Sequence, residues 1–161
     1  MNLCIRPVCE NDVDAVVRLS LLAWDPVFSS FEQILGPKIF PIIYPDWKTT
    51  QREEIEKVCK DGEKFNVWVA GLDGMVVGFV TTELNMETKT GEVYFLAVHP
   101  DHQNLGIGTE LNNFALKKMK ESGMKMAIVG TGGDPSHAPA RRSYEKAGCT
   151  ALPLVRYYKD L

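Results

Sequence analysis

Val98-His99-Pro100-Asp101-His102-Gln103-Asn104-Leu105-Gly106-Ile107-Gly108-Thr109 lies between two segments of different period. Ahead of it, Glu92-Val93-Tyr94-Phe95-Leu96-Ala97-Val98 is rich in β-branched and aromatic residues; behind it, apolar residues recur at helical spacing. The order is therefore strand, loop, helix. Such a junction suits an anion. Gly106 and Gly108 remove side chains where backbone would approach a ligand, and the first N–H groups of the new helix lack intrahelical acceptors. Their shared direction, with the positive end of the helix dipole, fits a pyrophosphate.

A Gly-x-Gly pair alone equally fits a tight turn packed on a sheet, so the neighbouring residues decide. A dinucleotide-binding turn takes a third glycine, where this chain has Leu111, and an acidic residue about 20 positions on. A phosphate-binding P-loop takes Gly-Lys-Ser/Thr, which does not follow this loop. Gln103-Asn104-Leu105-Gly106-Ile107-Gly108 instead resembles the Gln/Arg-x-x-Gly-x-Gly/Ala signature of the GNAT superfamily of acyl-CoA-dependent N-acyltransferases.

Length and composition agree with one enzyme-sized unit. The 161 residues, 45% of them hydrophobic, fit a single domain over 1–161 with its own core. Lys+Arg 18 against Asp+Glu 21 gives a net charge of -3, which offers no electrostatic reason for a nucleic-acid or anionic-membrane partner. Cys4, Cys9, Cys59 and Cys149 form no Cys-x-x-Cys pair and lack metal-ligand spacing with the histidines. They read as reduced thiols of a cytoplasmic protein with no metal site. The opening Met1-Asn2-Leu3-Cys4-Ile5-Arg6-Pro7 has no apolar run of signal-peptide length, and no segment is long enough to span a bilayer. A soluble, unprocessed chain is expected.

Leu3 to Val8 reads as an edge strand ending at proline, and Asn11 or Asp12 as the cap of a helix carrying Val13, Val16, Val17, Leu21 and Leu22. From Trp24 to Trp47 prolines and Gly36 break the pattern, with a short helix at Ser29 to Leu35; Thr49 to Lys60 is a more polar helix. Phe65 to Leu72 and Met75 to Leu84 form a hairpin at Asp73-Gly74, and Glu92 to Val98 adds a strand. The helix after the glycines ends at Gly123, Lys125 to Thr131 is a strand, and Asp134-Pro135 starts a helix that runs to Gly148. Thr150 to Leu152 and Val155 to Tyr158 close the chain as short strands around Pro153. This order is a mixed α/β (α+β) layer structure and matches the GNAT element order. The resemblance implies a mixed, mostly antiparallel sheet of six or seven strands flanked by helices. It would splay open near the glycine loop, so that the acyl-CoA tail lies between diverging strands.

The implied reaction moves an acetyl group from acetyl-CoA to an amine. A lysine-like amine has a pKa of about 10.4, so presenting its neutral form at pH 7 costs roughly 4–5 kcal/mol and a general base helps. By the resemblance, the backbone of Leu96, Ala97 and Val98 meets the thioester and pantetheine amides, and Gln103, Asn104, Leu105, Gly106, Ile107, Gly108 and Thr109 hold the pyrophosphate. Glu92 matches the general base of the histone-acetyltransferase branch, with Glu83 in reserve. Ala140-Arg141-Arg142-Ser143-Tyr144-Glu145-Lys146-Ala147-Gly148 resembles the Ala-x-x-x-Tyr-Glu-Lys-x-Gly-Phe signature, whose tyrosine, Tyr144, protonates the thiolate. Two positions depart from the pattern. His137 replaces the cofactor-contacting asparagine seven positions before Tyr144, and Cys149 replaces the phenylalanine after Gly148. His137 can still donate a hydrogen bond to the cofactor, with a sensitivity to pH that asparagine lacks. Arg141 and Arg142 are within reach of a 3′-phosphate or are simply solvated.

The acceptor is less constrained. In this fold the first two helices wall the acceptor site, which assigns Trp24, Phe28 and Tyr44 to the substrate; the same aromatics also fit a satellite core under an irregular loop. A small-molecule primary amine is the leading reading. Acetylation of a protein or peptide amine is the second, and a non-catalytic acyl-CoA-binding sensor the third. Dimers are frequent in the superfamily, so a homodimer is allowed, although no sequence feature marks an interface.

Overall fold

Alternating runs become strands and 3.6-period runs become helices in the computed structural model of the chain, which describes residues 2–161. The elements are β1 (Leu3–Pro7), α1 (Val13–Ile43), α2 (Trp47–Lys60), β2 (Phe65–Leu72), β3 (Met75–Asn85), β4 (Thr90–Val98), α3 (Ile107–Glu121), β5 (Met126–Val129) and α4 (Ala138–Lys146). The sheet order is β1-β2-β3-β4-β5, antiparallel except for the parallel β4–β5 pair. This is the mixed, mostly antiparallel sheet flanked by helices that was expected.

Successive side chains of the strands point to opposite faces, and each face has its own core. On one, Val16, Val17 and Leu19 of α1 and Ile55 of α2 cover Val69, Phe79 and Ala97. On the other, Ile107, Leu111, Ala115 and Met119 of α3 cover Ala70, Val80, Val93 and Val98. The sheet is thus clamped between helices.

Three expectations need correction. Among the described residues the sheet has five strands, not six or seven, because Thr150 to Leu152 and Val155 to Tyr158 form no strand. Leu152, Leu154 and Tyr157 are 80%, 82% and 90% exposed. Strand-forming composition needs a neighbouring strand to pair with, Pro153 supplies no N–H, and the tail leads instead to the end of α1, where Tyr158 lies beside Tyr44, the residue that follows the helix. Second, the expected break after Trp24 is absent: α1 continues through Pro26 and is interrupted only at Gly36 (φ 72°, ψ 177°), ahead of Pro37. Trp24, Phe28 and Phe31 sit at helical spacing, and burying them together outweighs one lost hydrogen bond. Third, Asp12 stands at the N-cap position of α1 as expected, but its side chain makes no capping hydrogen bond to the helix. Arg6 takes its carboxylate at 2.6 and 2.9 Å, and the Cys9 N–H donates to it at 2.8 Å.

Candidate active site

The site begins with an irregularity in β4. Thr81 pairs with Phe95 and Thr82 with Val93, so Tyr94 is an extra residue without a partner on β3. This bulge reverses the alternation beyond it and is held by the Phe95 N–H, which donates to the buried Thr81 hydroxyl at 2.9 Å. On its other edge, β4 pairs with β5 only from Thr90 to Val93. From Tyr94 to Val98 no strand of the described residues lies on that side. Backbone groups alternate between the two edges of a strand, so N–H and C=O groups around Leu96, Ala97 and Val98 face the opening.

The loop after β4 delivers the second set of donors. Gly106 has φ 83° and ψ -4°, a left-handed conformation that lets the chain turn directly into α3. The first helical bond runs from the Glu110 N–H to the Gly106 carbonyl at 3.0 Å, which leaves the N–H groups of Ile107, Gly108 and Thr109 without intrahelical acceptors. Gln103 Nε2 donates to the Val98 carbonyl at 3.4 Å and ties the loop to the strand.

These groups line a cleft of about 640 Å³ together with Trp24 and Val27 of α1 and with His137, Arg142 and Tyr144. Tyr144 is half-buried in it. Burial, then the neighbouring Cys149, pushes its hydroxyl up to about 12, so it carries its proton throughout the neutral range. His137 stands at the head of α4, seven residues and about 10 Å of helix before Tyr144 on the same face.

His137 belongs to a cluster. Its Nδ1 is 2.5 Å from Asp134 Oδ1, while Asp134 Oδ2 accepts from the hydroxyls of Ser30 at 2.7 Å and Ser136. Burial alone would raise the Asp134 carboxyl, but hydrogen bonds from Ser136, Ser30 and His137 hold it well below the usual carboxylate range. Arg141 Nη1 donates to the carbonyls of Gly132 and Asp134 at 2.6 and 2.8 Å and so fastens this loop.

The other sequence candidates separate. Trp24 lines the cleft; Phe28 and Tyr44 lie behind it in an aromatic cluster, Phe28 stacked on Trp47 at 4.3 Å and Tyr44 edge-on to Phe28 at 5.2 Å. Leu105 is exposed and outside the lining. Glu92 is exposed, paired in register with Glu83 on β3, and likewise outside it. Ser30, Asp134 and Ser136 were missed as site residues, since Asp134-Pro135 reads locally as a helix start. Among the described residues no group of three or more His, Cys, Asp and Glu side chains is placed to hold a metal.

Residues 29–149 match the family described as Acetyltransferase (GNAT) family. The chain belongs to this family. A mycothiol acetyltransferase of Streptomyces coelicolor is 33% identical over 81 residues, 50% of this chain and 26% of that protein. The GNAT chain thus spans about a quarter of that relative's length. Among solved structures, PaiA N-acetyltransferase of Thermoplasma acidophilum in complex with coenzyme A superposes with TM-score 0.70 at 15% identity, covering 91% of this chain and 89% of that one. An aminoglycoside acetyltransferase from an uncultured soil metagenomic sample, in complex with sisomicin, superposes with TM-score 0.63 at 25% identity, covering 99% and 96%.

Proposed function

We propose that this GNAT protein transfers the acetyl group of acetyl-CoA to a primary amine of a small molecule. The observation that carries the reading is the convergence, in one cleft, of a free strand edge at Leu96–Val98, the open N–H groups of α3 and the protonated hydroxyl of Tyr144. The α3 end receives the pyrophosphate, the strand edge pairs with the pantetheine amides and polarises the thioester carbonyl, and Tyr144 gives its proton to the departing thiolate. An acceptor amine enters along α1, past Trp24. Support for a small acceptor comes from this helix, which walls the cleft with Trp24 and Val27, and from the relatives named for mycothiol and aminoglycosides. The four free thiols suit a reducing, cytoplasmic setting.

The test is release of free thiol from acetyl-CoA against polyamines, amino acids, aminoglycosides, arylalkylamines and short lysine peptides. Turnover with one small-amine class and not with the peptides is the expected result. Turnover confined to the peptides replaces the acceptor assignment, and tight CoA binding without turnover replaces the enzyme by a sensor.

A further inference from the structure

An asparagine at position 137 would need little support to donate one hydrogen bond to a cofactor; the histidine found there is held on several sides. Asp134, whose side chain is 7% exposed, accepts from the Ser30 hydroxyl at 2.7 Å, the Ser136 hydroxyl, the Ser136 N–H at 3.2 Å and His137 Nδ1 at 2.5 Å. A carboxylate surrounded by donors is ionised, so the ring must offer it a proton at Nδ1. In the neutral ring the lone pair is then on Nε2, for which no protein partner is found among the described residues. Phe31 of α1 stacks on the imidazole at 5.8 Å and 25°. Gly132 passes so close that a Cβ there would collide with Asp134 Oδ1 and His137 Nδ1. The ring therefore has one orientation, and it lines the cleft that also holds Ala97 and Tyr144.

We propose that His137, oriented by Asp134, is the catalytic base that takes the proton from the acceptor ammonium. The inference rests on the acetyltransferase reading above. His102 is the other histidine on the cleft, and its buried Nδ1 has no partner among the described residues to orient it. The groups that face His137 are Ser30 and Phe31 from α1, Asp134 and Ser136 from the loop, and Arg141 of α4 through the carbonyls it binds. Of these, Asp134 and Arg141 are charged. Nε2 accepts one ammonium proton; the neutral nitrogen attacks the thioester carbonyl carbon, the C–N bond forms and the C–S bond breaks. The leaving thiolate takes the Tyr144 proton, the phenolate recovers the surplus proton of the new amide nitrogen, and the imidazolium returns its proton to solvent. One acetyl group has moved and one proton is released. Asp134 is a positioning residue that also stabilises the imidazolium.

The experiment compares the full-length protein with His137→Asn and Asp134→Asn, using an amine that the unaltered protein acetylates. His137→Asn is expected to lower kcat about 100-fold at pH 7, with CoA affinity by calorimetry changed by less than about threefold. Its activity should climb tenfold per pH unit as solution supplies the neutral amine, a steeper rise than that of the unaltered protein, whose own base takes the ammonium proton. Asp134→Asn should lower kcat about tenfold. Because that variant can lose the tie to Ser30 and misfold, nitrogen NMR of the three histidines in the unaltered protein provides a second reading, with His137 expected as the Nδ1–H tautomer. An Nε2–H tautomer overturns the assignment. So does a His137→Asn protein with unchanged kcat and pH profile but weakened CoA binding, which makes His137 a cofactor contact and leaves the acetyltransferase reading intact. CoA binding without turnover of any amine by the unaltered protein removes both.

Discussion

On one side of the cleft, Leu96–Val98 and the start of α3 offer backbone atoms; on the other, α4 and the loop before it offer side chains, Tyr144 and the Asp134-held His137. The two walls should therefore respond differently to substitution. The backbone wall exists because of a bulge, a free edge and a left-handed glycine, so changes there act on folding and on cofactor affinity. On the side-chain wall, Tyr144 is carried by α4, while His137 stands at its head on a loop that Asp134 ties to Ser30. Changes there should act on turnover and leave binding nearly alone.

Tyr144→Phe is the sharpest way to break that contrast. Removing the hydroxyl is expected to lower kcat about 100-fold while CoA affinity stays within about twofold, as read by thiol release and calorimetry. Because the hydroxyl is pushed up to about 12, it stays a donor at every pH below that, and its own titration should cause no alkaline fall in the unaltered protein. A variant with full turnover removes Tyr144 as the acid.

On the backbone wall the largest effect is expected from Thr81→Val. The side chain keeps its shape but loses the oxygen that receives the Phe95 N–H in the bulge, at a position that is fully buried. An orphaned buried donor costs about 2 kcal/mol, to be measured by urea unfolding. Cofactor affinity should weaken with it, because the bulge sets the edge at Leu96–Val98. Unchanged stability would mean that the bulge does not depend on Thr81.

Local signals made the backbone wall readable in advance and left much of the other wall hidden. The Asp73-Gly74 hairpin, the strand ending at Val98 and the helix opening after Gly106 all follow from residues a few positions apart. Asp134 was equally visible, but as a helix cap. Its partner Ser30 lies 104 positions away, and no short-range pattern joins them. The same limit explains Asp12, read as a cap and found on Arg6, and the closing segment, whose residues favour a strand that has no neighbour. Phe28 and Tyr44 show the reverse. Their aromatic character was plain, but only packing decided that they lie outside the lining of the cleft, Phe28 stacked on Trp47 and Tyr44 edge-on to Phe28.

Gly106→Ala carries the smallest expected effect and tests the backbone wall at its simplest. Nothing lies within 4 Å of the place a Cβ would occupy, so crowding contributes nothing and the cost is conformational. Holding alanine at φ 83° should destabilise the fold by about 1 kcal/mol, seen as a lower melting temperature. If the chain keeps its turn, the N–H groups of Ile107, Gly108 and Thr109 keep their direction and CoA affinity is retained. If it relaxes to negative φ, stability returns and affinity falls, because the donors no longer point together. In both cases kcat at saturating substrate should hold. A fall in kcat comparable to that of Tyr144→Phe would show that the two walls are not separable, since the loop would then be setting the thioester's position against the side chains opposite.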